Sequence, residues 1–424
     1  MNRQKNLPFL YCCTVLYFDG WVDTLTVTIK QTGLAVCFSS EDFHTGYVGN
    51  WQYPFSQLSY EKVGRMNTKF VEEAESFLEQ HPEIREFDLL LPDMNAVFRG
   101  KRIQRKKLIS IYKKGLYFPA SVFAMDVTGE TMEETGLGFK SGDQDIPCYP
   151  VPGTLKVVPW QKERGQLLLR MLEPDGSPFL GNPREVLQSV CSKLSEFGWK
   201  AMVAVEIEFY LVDPKRRPGQ PPQPVFSSLT GQRETEGQLY SLSSLDTNEL
   251  FLKDISEAAI IQNIPADTAL AELAPGQFEV NLHHVPDAVL ACDHAVLLKR
   301  IIRSAAQNHK VEATFMPKPY PDQPGNGMHV HMSLLDKKGQ NVFQGIDASG
   351  SPELKHAVEG IRSVMAESML VCAPHANSYH RFQSGSYAPV NMSWGYNNRT
   401  VSLRIPANNG PDMRIEHRLA GADA

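Results

Sequence analysis

Residues 201–212 read AMVAVEIEFYLV. Apolar side chains fill this run except at Glu206 and Glu208, and because successive strand residues point to opposite faces, both carboxylates project from the same side of a β-strand. Alone, such a pair describes a strand with one face in water. The pattern recurs downstream. ELAPGQFEVN (272–281) carries Glu272 and Glu279 around a Pro-Gly turn that leads into a strand, on which Glu279 faces away from Phe278 and Val280. In GNGMHVHMSL (325–334), His329, His331 and Ser333 alternate on one strand face, after a glycine-rich approach that lets backbone come close to a ligand. RIEHR (414–418) places Arg414, Glu416 and Arg418 on one face near the end of the chain.

A single histidine of this kind is more often structural, but five glutamates brought together ask for cations. Like charges a few ångströms apart raise carboxyl pKa values, and a divalent ion removes that cost. Oxygen-rich sets with at most one imidazole select Mg2+ or Mn2+ over zinc. Five arginines, Arg381, Arg399, Arg404, Arg414 and Arg418, follow within a short stretch, and Arg404 lies inside the apolar VSLRIP segment. A buried guanidinium needs an anion, and its fork matches carboxylate and phosphate. Metal, phosphate-binding arginines and a carboxylate clamp together describe phosphoryl transfer onto an acid, followed by attack of an amine on the acyl phosphate.

Composition agrees with a metabolic enzyme more than with a nucleic-acid partner. The 424-residue chain has a formal net charge of −6, and its one basic run is Lys101 to Lys107. Seven scattered cysteines without a CxxC pair suit reduced thiols in a cytoplasmic protein. The apolar run Leu7 to Phe18 is too short for a membrane helix and no small-residue cleavage site follows it, so neither membrane insertion nor export is expected.

Two folding units follow from the patterning. Residues 1–60 have strand-like alternation at Trp21 to Ile29 and no assignable role. A smaller α+β unit spans 61–160: a helix capped at Thr68 with Phe70, Ala74, Phe77 and Leu78 on one face, a hairpin of Arg85 to Leu91 and Ala96 to Ile103 about a Pro92-Asp93-Met94-Asn95 turn, a basic helix Arg105 to Lys114, and a strand near Tyr117 to Met125. A larger α/β domain occupies 161–424. Its helices are expected where Val186, Val190, Leu194 and Phe197 recur, at Asp287 to His309, and at Ser351 to Leu370.

In order and spacing, VEIEF, ELAPGQFEVN, GNGMHVHMSL, NNRTVSLRIP and RIEHR resemble the signature segments of glutamine synthetases, and PCYPVPGTLKVVPW (147–160) and DGSPFLGNPREVL (175–187) extend the likeness. It runs from about Arg85 to Ala424. The resemblance implies a small β-grasp-like domain before a catalytic α/β domain, hence an α+β chain in stacked rings, twelve subunits being usual, with active sites shared between neighbours. It also implies a truncated C-terminal end, since members continue beyond the segment that here ends Ala-Gly-Ala-Asp-Ala.

Carried over, the family makes Glu208, Glu272 and Glu279 ligands of one Mg2+ or Mn2+, and Glu206, His329 and Glu416 ligands of a second. Arg381 and Arg418, with backbone at Gly325, would hold glutamate; His331, Ser333, Arg399 and Arg404 would contact ATP, with Arg381 and Arg399 serving catalysis. One departure bears on the amine. Where ammonia-using members place a flap glutamate, this chain reads GSYAPV (385–390), and Tyr387 cannot form an anionic ammonium site. LPDMNAVFRGKRI (91–103) and FAMDVTG (123–129) resemble the branch that makes γ-glutamyl amides of putrescine or polyamines, which implies that Asp126 contacts the amine of a neighbouring subunit. Ammonia-dependent glutamine synthesis and an inactive structural or signalling relative are the alternatives.

Overall fold

The structure is a computed structural model that describes residues 60–215, 219–228, 230–407 and 410–424, together with two antiparallel strands, β1 (Thr24–Ile29) and β2 (Leu34–Ser39). The run Leu7 to Phe18 lies outside the described residues. Helix α1 (Tyr60–Gln80) begins before Thr68, so that residue is interior and not a cap. The segment before it holds no proline and one glycine, and an interior glycine costs only about 1 kcal/mol. The expected hairpin forms as β3 (Glu86–Pro92) and β4 (Phe98–Gln104). Asp93 ties its turn, accepting from Asn95 N (2.8 Å), Val97 N (2.9 Å) and Arg99 Nε (2.9 Å).

The basic segment opens as a single 3-10 turn before α2 (Leu108–Lys114). Strand β5 (Leu116–Pro119) is shorter than expected, because Asp143 captures the backbone N–H and hydroxyl of Ser121 and turns the chain. Strands β6 (Asp145–Pro150), β7 (Lys156–Val157) and β8 (Arg164–Met171) complete a six-stranded sheet in the order β4-β3-β8-β6-β5, with β7 on β8. The boundary expected at 160 therefore moves past β8, which pairs in parallel with β3.

Both faces of this sheet are covered. Phe87, Leu89, Leu91, Leu167 and Leu169 join α1 and α2 in one core, whereas Leu90 and Leu168, one residue out of phase, join the core of the larger unit. Two-sided burial explains why β8 reads as a nearly continuous apolar run.

After α3 (Pro183–Glu196) comes β9 (Lys200–Val212), the central strand of an eight-stranded sheet. There follow α4 (Leu242–Thr247), α5 (Glu249–Ile261), β10 (Ala266–Ala271), β11 (Gln277–Leu282), α6 (Ala288–Asn308), β12 (Glu312–Thr314) and β13 (Met328–Leu335). Then come α7 (Pro352–Ser363), α8 (Met365–Cys372), α9 (Ala376–Tyr379), β14 (Trp394–Tyr396), β15 (Leu403–Ile405) and β16 (Ile415–His417). The helix expected over Ser351 to Leu370 is thus two, broken at Val364. Sheet order is β10-β11-β9-β13-β16-β15-β14, with β12 also on β9. Val203, Val205, Ile207, Phe209 and Leu211 of β9 pack with Leu298, Ile301 and Ile302 of α6, so the helices take one face and leave the other to Glu206 and Glu208. No helix among the described residues is long and apolar enough to cross a membrane.

Candidate active site

Strand register carries the charged residues across that second face in one row. Glu279 of β11 stands opposite Glu208, His329 of β13 opposite Glu206, Glu416 of β16 opposite His331, and Arg404 of β15 opposite Glu416. Directly opposed residues share a face, so a period of two in five separate segments becomes one surface. Glu272 joins it from the loop after β10, where its N–H donates to Gln277 O at 2.9 Å.

Three sets of donor atoms each lie within 4.8 Å of one another: Glu208, Glu272 and Glu279; Glu206, Glu279 and His329; and Glu206, His331 and Glu416. The first has the same members as the set that the family resemblance assigns to one ion. The second expected set, Glu206 with His329 and Glu416, is divided here, because Glu416 is held elsewhere. Arg404 Nη1 donates to its Oε2 at 2.7 Å and Arg418 Nη1 donates to its Oε1, which leaves the carboxylate neutralised by two guanidinium groups.

The two histidines are not equivalent. His331 Nε2 lies 2.8 Å from Glu206 Oε1 and His329 Nδ1 lies 3.0 Å from Glu206 Oε2. Arg414 Nε, which can only donate, sits 3.2 Å from His331 Nδ1. His331 Nδ1 is therefore an acceptor and its Nε2 carries the proton given to Glu206. His329, with Nδ1–H on the carboxylate, keeps Nε2 as a lone pair for a metal, the usual arrangement of a ligating imidazole.

Electrostatics separate the carboxylates further. Loss of water raises the Glu208 carboxyl to about 8, with Glu272 adding to the effect. Burial, then Glu206, Glu208 and Glu272, raise Glu279 to about 9. Glu272 is also raised by burial. Burial opposes ionisation of Glu206 as well, but the hydrogen bonds from His329 and His331 outweigh it and hold its carboxyl below the ordinary range. Three carboxyls that resist ionisation beside one another form a poor empty site and a good oxygen cage for a hard divalent ion.

Arg381 lies beside the cage, buried, with Nη1 donating to Leu419 O at 3.0 Å. Gly327 N–H donates to Glu208 Oε2 at 2.6 Å, and a Cβ at Gly325 would stand 2.5 Å from Arg381 Cγ, so glycine lets the arginine pass. Ser333 is buried further along β13. Arg399 is exposed, though its charge reaches Glu272. Tyr387 is exposed on the loop before β14. Asp126 sits apart in the smaller unit, where Thr128 N, Thr128 Oγ1 and Glu130 N donate to its Oδ1. Among the described residues no hydrogen bond or ion pair links it to the acidic face. Gln277 and Asn326, two buried amides behind the Gly325 bend, were not singled out from the sequence, where polar residues beside glycine and proline read as turn formers.

Residues 180–424 match the family model for the glutamine synthetase catalytic domain. The chain belongs to the glutamine synthetase family. It is 46% identical to γ-glutamylputrescine synthetase PuuA of Escherichia coli strain K12, over 87% of this chain and 78% of that one. It is 30% identical to a glutamate–isopropylamine ligase of a Pseudomonas species, over 84% and 78%. Among solved structures, a GmaS–ADP complex superposes with a TM-score of 0.69 at 25% identity, covering 82% of this chain and 76% of that one.

Proposed function

We propose that this member of the glutamine synthetase family joins the γ-carboxylate of glutamate to putrescine or a longer polyamine, with ATP as co-substrate and γ-glutamyl phosphate as intermediate. The observation that carries the chemistry is the row of carboxylates on the open sheet face next to buried Arg381. The preference for putrescine rests on the 46% identity to the E. coli synthetase and on the neutral, exposed Tyr387.

Glu208, Glu272 and Glu279 would hold one divalent ion, and Glu206, His329 and Glu416 a second, Glu416 doing so against its two arginines. Such ions supply neutralisation of phosphate charge and Lewis acidity. Arg381, with donors left over from Leu419 O, and Arg418, with the backbone at Gly325, orient the glutamate carboxylates. His331 and Arg404 on the row, Ser333 further along β13 and Arg399 in the turn after β14 are read as the nucleotide side, with exposed Arg399 free to swing onto the transferring phosphoryl group. The glutamate γ-carboxylate oxygen attacks the γ-phosphorus and ADP leaves; the amine nitrogen then attacks the acyl carbon, loses a proton, and phosphate departs.

We read the smaller unit as the β-grasp-like domain of the family, the assembly as stacked rings, and the protein as cytoplasmic. In that reading Asp126 reaches the amine of an adjacent subunit, which suits its placement away from its own chain's acidic face.

ATP-dependent phosphate release with glutamate and Mg2+ across ammonium, putrescine, spermidine and ethanolamine, with mass detection of the amide, tests the proposal. A putrescine- or polyamine-selective signal is expected. Ammonium-selective release would return the chain to glutamine synthesis, and silence with every amine would make it an inactive relative.

A further inference from the structure

The bend Pro324 to Gly327 is clamped by two buried amides that take no part in metal or charge chemistry. Asn326 is fully buried; its Nδ2 donates to Met316 O (2.9 Å) and Thr314 O (3.4 Å). Gln277, 1% exposed at the first position of β11, donates through Nε2 to Gly325 O (3.1 Å) and to Asn326 Oδ1 (3.2 Å). The carbonyl at Gly325 needs a donor, which fixes the orientation of the Gln277 amide. Tyr210 Oη holds the start of the bend by donating to Pro324 O (2.7 Å).

Gln277 therefore touches both halves of the site. Its backbone carbonyl accepts from Glu272 N–H, and its side chain fixes the carbonyl at Gly325. Two residues beyond, Gly327 N–H meets Glu208, and a Cβ at Gly327 would stand 3.1 Å from Arg381 Nη2. A shift of the bend would move the contact surface of Arg381 and the hydrogen bond to Glu208 together.

We propose that Gln277, with Asn326 behind it, is a positioning residue that holds the Gly325 to Gly327 backbone in register with Glu208 and Arg381, and so sets glutamate affinity separately from ATP affinity. The proposal rests on the ligase reading for the identity of the ligand. One comparison distinguishes positioning from packing: Gln277→Met keeps the side-chain length but removes the donor from Gly325 O and Asn326 Oδ1, so a positioning role shows as a loss on the glutamate side that the nucleotide side does not share.

The test compares the native full chain with Gln277→Met, with Gln277→Glu as a second variant that keeps shape but loses the donor. Gln262→Met serves as control: Gln262 is another buried glutamine, which donates to Val157 O at 3.2 Å on β7, between the two units. Glutamate binding is measured by calorimetry with Mg2+ and a non-hydrolysable ATP analogue, beside KM and kcat for phosphate release. Gln277→Met and Gln277→Glu are expected to weaken glutamate binding and raise its KM about tenfold, the scale of a lost supporting contact. Analogue affinity should hold in both; Gln262→Met should show no such split. Equal losses for glutamate and nucleotide, or no change, would overturn the proposal. A native chain that binds glutamate but releases no phosphate with any amine would sink the ligase reading while the binding comparison still decides the role of Gln277. A native chain that binds no glutamate overturns both.

Discussion

Glu279 shows how one residue serves stability and function in opposite directions. Its carboxyl is pushed up to about 9 by burial and by three neighbouring glutamates, so in the absence of metal it resists ionisation. Replacing it by glutamine removes the like charge but also a candidate ligand. Glu279→Gln should therefore raise the melting temperature in EDTA at pH 9 and reduce Mg2+-dependent phosphate release at least about a hundredfold. Unchanged turnover with intact folding would remove Glu279 from the metal site. The same shifts give a pH dependence. Glu208 and Glu279 have an ordinary value of 4.5 and folded values of about 8 and about 9, so between these limits the folded chain binds more protons than the unfolded one. The contribution of these two carboxyls to the stability of the metal-free protein is then full below 4.5 and falls as pH rises toward 9; Mg2+ should flatten that slope and release protons on binding. Thermal melts from pH 5 to 9, with Mg2+ and with EDTA, measure it, and a stabilisation by Mg2+ that does not grow with pH would contradict the cage. At this scale the sequence was a good guide to which side chains share the acidic face, because alternation alone puts Glu206 with Glu208 and His329 with His331. It gave no hint that Glu416 is clamped by Arg404 and Arg418, since that pairing depends on the register of β15 with β16 and on side-chain direction.

Between elements, a buried electrostatic joint links β8, α3 and α6. Glu185, fully buried, takes both Nε (3.0 Å) and Nη2 (2.6 Å) of Arg170, while its neighbour Arg184 forks onto Asp293 of α6 at 3.0 to 3.3 Å. Removing one partner of a buried pair strands a charge, so Glu185→Ala should cost about 3–5 kcal/mol in urea unfolding. The exposed Arg85 to Glu163 pair, 3.0 Å long, offers the contrast: Glu163→Ala should cost less than about 1 kcal/mol. Similar costs for the two would mean that the buried joint is solvated. This joint also shows why β8 was placed in the wrong unit. An apolar run such as Gly165 to Met171 fits any two-sided sheet, and its parallel pairing with β3, nearly eighty residues away, is a long-range choice that no local pattern records.

For the whole molecule, the six-stranded sheet decides how many independent parts there are. Its outer face packs α1 and α2, but Leu90 and Leu168 on the inner face belong to the same core as Phe209, Ile301 and Ile302. Asp88, on that inner face, accepts from Arg102 Nε (2.7 Å) of its own sheet and from Arg300 Nη2 (2.9 Å) of α6. Arg300 in turn lies near the rings of Phe98 and Trp160, about 5.8 and 5.9 Å from their centroids. Neither unit can open without exposing leucine and stranding Asp88 or Arg300, so the two should unfold together despite their distinct sheets. Calorimetry of the full chain is expected to show one transition. Leu168→Ala should lower it as a whole, by about 2–5 kcal/mol, with no separate early peak. A resolved first transition moved by Leu168→Ala, with the second unmoved, would mean that the smaller unit folds alone.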